Sequence, residues 1–205
     1  ELVYLMRTQA AEFGIHAENV TFDYNAAYKR SRQVSERLTK GVSFLMKKNN
    51  IAVIEGHGEV ANPGEVLVRA ADGGTQTLST RNIVLATGAH PTIIPGMEPD
   101  GEKILDYEDA ILLQQLPKSA VIIGAGAVGV EFATVWSAYG VDVHIVEMLP
   151  HILPAEDDEA AAELSKAFRK RGVKIHAGTK VQSVQKTENG VEVQIAGEKG
   201  EEKIT

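Results

Sequence analysis

The chain has 205 residues, 43% of them apolar, a net charge of −7 and no cysteine. The apolar content excludes global disorder, and the acidic balance, with a pI of about 5.4, argues against nucleic acid or an anionic membrane as partner. The missing cysteines exclude a disulfide framework, a thiolate nucleophile and a Cys-ligated zinc within these residues. The length allows one large or two small domains.

Residues 1–50 read as helical. Leu2, Leu5 and Met6 share a helical face, Gly14 is a stop, and Asp23 is an N-cap for a longer helix. In that helix Val34, Leu38, Val42 and Leu45 recur at steps of four, four and three, which predicts one buried stripe with charged residues elsewhere. From Ile51 the period changes. Glu65–Arg69 and Thr75–Ser79 read as strands joined by the turn Asp72-Gly-Gly74, a small antiparallel meander. Asn82-Ile-Val-Leu-Ala86 reads as a buried strand ending on Thr87-Gly88, and Pro91, Pro95 and Gly96 make the next stretch a rigid link. Residues 107–115 predict a short helix that Pro117 ends.

From Ser119 strands and helices alternate. Expected are a strand at Ala120–Ile123, a helix over 127–139 closed by Gly140, and a strand at Asp142–Glu147. A helix follows over about 156–171, with Ala160, Leu164, Ala167 and Phe168 on one face and Gly172 at its end. A third strand, Val173–His176, and a hairpin of Val181–Val184 with Val191–Ile195 around Asn189-Gly190 complete the series. Such alternation implies a doubly wound parallel sheet, an α/β fold, with a domain boundary near residues 115–118. The apolar run Ala120–Val141 is no membrane span, because Gly124, Gly126, Gly129, Gly140 and Glu131 interrupt it.

One motif carries chemistry. Gly124-Ala-Gly-Ala-Val-Gly129 has the spacing G-x-G-x-x-G, directly after a strand and opening a helix. The first glycine makes the tight turn, the second lets the backbone approach a pyrophosphate, and the third lets helix and strand pack closely. The helix N-terminus adds N–H donors and the positive end of its dipole. Glu147, 21 residues after Gly126, ends the second strand, where a carboxylate accepts hydrogen bonds from ribose hydroxyls. It would repel a 2′-phosphate, and Met148-Leu-Pro-His151 offers no Arg to bind one, so NAD is favoured over NADP. For Glu131 the spacing leaves two readings open: a charge complementing the helix dipole, or a carboxylate facing a nicotinamide. The six His residues form no ligand spacing, so no metal site is expected. No G-x-S-x-G nucleophile motif is present, no residue is assigned a catalytic role, Trp136 reads as core, and Asp157-Asp158-Glu159 reads as a helix start.

Three stretches, Ala86-Thr-Gly-Ala-His-Pro-Thr-Ile-Ile-Pro-Gly96, Val121–Glu131 and Val146-Glu-Met-Leu-Pro-His-Ile-Leu-Pro154, together with Leu116-Pro-Lys118 and Lys170-Arg-Gly-Val-Lys174, resemble the FAD- and NAD-linked disulfide oxidoreductases, most of all their dihydrolipoamide dehydrogenase branch. The resemblance implies two nested, incomplete Rossmann-like domains: residues 1–115 as part of an FAD domain with a meander near 57–80, and 116–205 as part of an inserted NAD domain. It implies that Gly58, Thr87, Gly88 and Ala89 contact FAD. It implies that Gly124, Ala125, Gly126, Ala127, Val128, Gly129, Val130 and Glu131 hold NAD, with Glu131 towards the nicotinamide, Glu147 on the ribose and Val181 beside the adenine. It further implies oxidation of dihydrolipoamide on a lipoyl domain, a homodimer, and a cytoplasmic or mitochondrial-matrix location. The start Glu1-Leu-Val-Tyr-Leu-Met-Arg7 shows no signal-peptide pattern. The family's redox-active C-x₄-C pair and catalytic His are expected outside these residues. Related flavoenzymes are the alternative: a mercuric or coenzyme A disulfide reductase, a transhydrogenase or an NADH oxidase.

Overall fold

A computed structural model describes residues 1–198 and 200–205. Helices α1 (Leu2–Thr8) and α2 (Tyr24–Lys48) precede strands β1 (His57–Asn62), β2 (Glu65–Arg69) and β3 (Thr75–Ser79). Then come α3 (Tyr107–Ile111), β4 (Ser119–Ile123), α4 (Ala127–Tyr139), β5 (Asp142–Val146), α5 (Asp158–Lys170), β6 (Lys174–His176), β7 (Lys180–Thr187), β8 (Gly190–Gly197) and β9 (Gly200–Ile204). The residues group into two compact units, Glu1–Lys29 with Pro91–Thr205, and Arg30–His90.

In the first unit β4, β5 and β6 form a parallel sheet in that order, the expected βαβ alternation. Alternation along β5 sends its residues to two cores. Val143 and Ile145 join Val130, Ala133 and Trp136 of α4 and Phe168 of α5 in one core. Val146 joins Val193, Ile195 and Ile204 in the other, with Val121, Val181, Val184 and Val191 packed against it. The antiparallel sheet β7-β8-β9 contains the expected hairpin and adds a strand, β9, that the sequence pattern did not reveal.

Local chemistry explains the helix ends. Gly140 closes α4 in the left-handed conformation, φ +93°, and its N–H bonds Ser137 and Trp136 carbonyls. The Arg7 guanidinium donates to the Ala138 carbonyl at 2.9 Å, tying α1 to that end of α4. Asp157 caps α5: its Oδ1 accepts from the N–H groups of Glu159 and Ala160, each at 3.0 Å. Asp157→Ala is expected to cost about 1 kcal/mol, read as a lower urea midpoint at unchanged slope. The predicted buried face of α5 is shifted: Ala161 and Phe168 are buried and Leu164 partly so, whereas Ala160 and Ala167 are exposed. Three successive alanines from Ala160 to Ala162 leave the phase of the pattern undetermined.

The second unit contains the meander β1-β2-β3, with β2 and β3 at their predicted bounds. The turn between them is held by Asp72, whose Oδ1 accepts from the Gly74 N–H at 2.9 Å. Two expectations fail here. Helix α2 forms, but Leu38, Val42 and Leu45 are exposed, Leu38 at 63%. Residues 82–86 form no strand, and Val84 is 85% exposed. The physical reason is shared. An apolar stripe is buried only against a second apolar surface, and a strand needs a neighbour to pair its N–H and C=O groups. The described residues of this unit supply neither, and Val68 is its one buried side chain among them. The helix predicted over 107–115 is the shorter α3, capped by Asp106.

Candidate dinucleotide site

Strand β4 ends at Ile123, and the chain turns at Gly124, where φ is +98°. An L side chain avoids that conformation. The Gly124 N–H donates to the Val146 carbonyl at 2.9 Å, which fixes the turn to the end of β5. Ala125 is fully buried. Its N–H donates to Glu147 Oε2 at 2.8 Å, and its carbonyl accepts from the Leu153 N–H at 2.8 Å. Gly126 is the N-cap of α4 and brings no capping side chain, so the first-turn N–H groups are the unpaired donors that every helix start carries.

The three glycines have different reasons to be glycine. A Cβ on Gly129 would lie 2.2 Å from the Gly124 oxygen and 3.2 Å from Ile122 Cγ2, so helix and strand approach through it. Gly126 is the opposite case. Its φ is an ordinary −70° and a Cβ there meets nothing within 4 Å. Nothing in the fold requires glycine at 126. A phosphate laid against the helix start does require it, so the residues present fit a dinucleotide pyrophosphate.

Glu147 is the one buried charged or polar residue among those described, at 7% exposure. Its Oε1 accepts from the Leu149 N–H at 2.9 Å while Oε2 holds Ala125. Its backbone is pinned as well: the N–H donates to His176 and the carbonyl accepts from Thr179, each at 2.9 Å. Beyond it Met148 and Leu149 are exposed, as is Val128 in the first turn of α4.

A family model described as pyridine nucleotide-disulphide oxidoreductase matches residues 5–204. The chain belongs to that family. Among curated proteins it is 47% identical, over 90% of its length, to a dihydrolipoyl dehydrogenase of Mycobacterium tuberculosis, covering 39% of that protein. To the dihydrolipoyl dehydrogenase of Chlorobaculum tepidum it is 40% identical, covering 91% of this chain and 40% of the relative. The crystal structure of LpdA from Mycobacterium tuberculosis superposes with a TM-score of 0.85 at 30% identity, covering 99% of this chain and 44% of that one. The HOCl-induced flavoprotein disulfide reductase RclA from Escherichia coli matches with a TM-score of 0.73 at 29% identity, covering 89% of this chain and 41% of that one. This family member therefore spans about two-fifths of the length of the curated relatives it matches.

The other expected site residues lie as follows. Glu131 is the fifth residue of α4 and exposed. That is beyond the first turn, where a charge complements the dipole, so the dipole reading is not supported. Val181 lies on β7, half-buried against the second core. Gly58 lies on β1 opposite Val68. Thr87, Gly88 and Ala89 are exposed on a segment without regular structure, with Gly88 at φ +80°. No hydrogen bond among the described residues joins Gly58 to the segment 87–89.

Sequence reasoning missed a second polar cluster. His144 Nδ1 and His176 Nε2 are 3.1 Å apart, with the rings stacked. Lys174 Nζ lies 3.1 Å from His144 Nε2 and donates to Asp142 at 2.8 Å, while Glu202 is 3.9 Å from His176. Residues 32 positions apart carry no local signal of this pairing. The hydrogen bond from Lys174 holds the Asp142 carboxyl below its usual range. Burial, then Lys174, lowers the His144 imidazole below its ordinary 6.5. The unfolded chain then binds this proton more readily than the folded protein. The contribution of His144 to stability falls as pH drops through 6.5 towards the lower folded value. His144→Asn is expected to flatten the loss of stability between about pH 7 and pH 5, measured by urea unfolding at each pH.

Among the described residues no helix is long and apolar enough to cross a membrane.

Proposed function

We propose that the protein is a dihydrolipoyl dehydrogenase, oxidising dihydrolipoamide and reducing NAD⁺. The observation that carries this reading is Gly126, a glycine at the start of α4 that the fold itself does not require, beside a loop closed by a buried acid. The identity of 47% to a dihydrolipoyl dehydrogenase supports this member of the family.

In this reading the N–H groups of Gly126, Ala127, Val128 and Gly129 bind the NAD pyrophosphate, aided by the dipole of α4. Gly124, Ala125 and Val130 shape and support that loop. The Glu147 carboxylate accepts hydrogen bonds from the adenosine ribose and excludes a 2′-phosphate by charge. Glu131 faces the nicotinamide, and Val181 flanks the adenine. Gly58, Thr87, Gly88 and Ala89 line FAD, which supplies the two-electron relay between dithiol and nicotinamide when bound. Residues 1–115 are assigned to the FAD domain and 116–205 to the NAD domain. The reacting disulfide is not supplied by these residues, which contain no cysteine. The substrate is dihydrolipoamide on a lipoyl domain, the working form a homodimer, and the location the cytoplasm or mitochondrial matrix.

The test is an assay of the full-length protein: dihydrolipoamide-dependent reduction of NAD⁺, with NADP⁺ far slower. A preparation that binds FAD and oxidises NADH with an artificial acceptor, yet leaves dihydrolipoamide untouched, would overturn the substrate. The likeness to RclA points to the class that result would favour, a reductase acting on another disulfide or oxidant.

A further inference from the structure

We propose that Glu147 is a positioning residue for the glycine loop, holding it in binding shape before any nucleotide arrives. The second half of the test below rests on the NAD reading of the loop; the first half does not.

The geometry gives the carboxylate two tasks. Ala125, the middle residue of Gly124-Ala-Gly126, is fully buried, so its N–H has no access to water. Glu147 Oε2 is the acceptor for that N–H at 2.8 Å. The other oxygen, Oε1, holds the Leu149 N–H at 2.9 Å. One side chain thus ties the turn after β4 to the turn after β5. The other hydrogen bonds of the loop act elsewhere and leave the Ala125 N–H to Glu147: Val146 fixes Gly124, and Leu153 fixes the Ala125 carbonyl. A buried donor left without an acceptor is costly, so loss of the carboxylate releases the loop. Each carboxylate oxygen has a second lone pair. The same group therefore holds the loop and still accepts from ribose hydroxyls. A residue that acted only through the ribose would not be satisfied in this way without ligand.

The experiment uses the full-length protein and its Glu147→Ala, Glu147→Gln and Glu147→Asp variants. Hydrogen exchange of the nucleotide-free proteins is followed in peptides spanning 122–130. Glu147→Ala is expected to speed exchange there at least about tenfold. Gln is expected to restore most of the protection, because its amide oxygen accepts from Ala125. Asp, one methylene shorter, keeps the charge and loses the reach, and is expected to exchange faster than wild type; it decides the matter if the Ala variant does not fold. NADH and its analogue lacking both the 2′- and 3′-hydroxyls of the adenosine ribose are then titrated by fluorescence. Glu147→Ala is expected to weaken both, each at least about tenfold. Unchanged exchange in the Ala and Asp variants, with the 2′,3′-dideoxy analogue bound equally by wild type and Glu147→Ala, would overturn the proposal and leave Glu147 a ribose ligand only. If wild type binds neither nucleotide, the NAD reading fails, and the exchange data still decide whether Glu147 holds the loop.

Discussion

Gly126→Ala is expected to leave the fold intact and abolish tight NADH binding, whereas Gly129→Ala is expected to damage both. The contrast follows from the space around each Cα. At Gly126 the added methyl meets nothing within 4 Å and the backbone is already in a region open to any residue. Its stability change should stay within about 0.5 kcal/mol. The methyl would, however, occupy the approach of a pyrophosphate to the helix start, and NADH affinity should fall by about 100-fold or more. At Gly129 the methyl would sit 2.2 Å from the Gly124 oxygen, which is backbone and cannot swing away. Helix α4 must then move off β4, at a cost of about 1–3 kcal/mol or more. Urea unfolding and fluorescence titration of the same two variants separate the cases. Equal destabilisation by both would remove the argument that Gly126 answers to a ligand.

The glycine loop was legible because its requirements are local. A positive φ at Gly124 and a close approach at Gly129 each need glycine at one position, and the spacing records both together, directly after a strand end. The bounds of β2, β3 and α4 were legible for the same reason, since turn residues and caps punctuate them. Burial was less legible because it depends on a partner. The stripe Leu38, Val42, Leu45 is a faithful helical pattern, yet among the described residues nothing covers it. The run 82–86 has strand composition and, among the described residues, no strand beside it. Strand β9 carries Glu201, Glu202 and Lys203 and buries only Ile204, so it read as a polar end. Its one available signal was the pair Gly197 and Gly200, which face each other across the hairpin turn. Glu147 was found by its distance from the loop, but its bonds to Ala125 and Leu149 are tertiary and left no mark in the spacing.

The second large effect is expected at Phe168. This ring is 1% exposed, in a core with Ile145, Val143, Ile152 and Trp136. Phe168→Ala removes its buried surface and leaves a cavity between α5 and the sheet, costing about 3–5 kcal/mol. Conservative Phe168→Leu should recover more than half of that loss. Because α5 leads into β6, and β6 carries His176, whose carbonyl accepts from the Glu147 N–H, loosening this core also loosens the acid beside the loop. NADH affinity should therefore fall with stability in Phe168→Ala, and both should return together in Phe168→Leu. A stability loss under about 1 kcal/mol in Phe168→Ala would contradict the assignment of this ring to the core.

The central claim is that the start of α4 and the end of β5 form one NAD site. It is tested most directly by a crystal structure of the full-length protein grown with saturating NADH. The pyrophosphate is predicted against the N–H groups of Gly126 to Gly129, with the adenosine ribose hydroxyls bonded to Glu147 while Ala125 remains on Oε2. A loop left empty at saturating NADH, or a pyrophosphate bound away from α4, would contradict it.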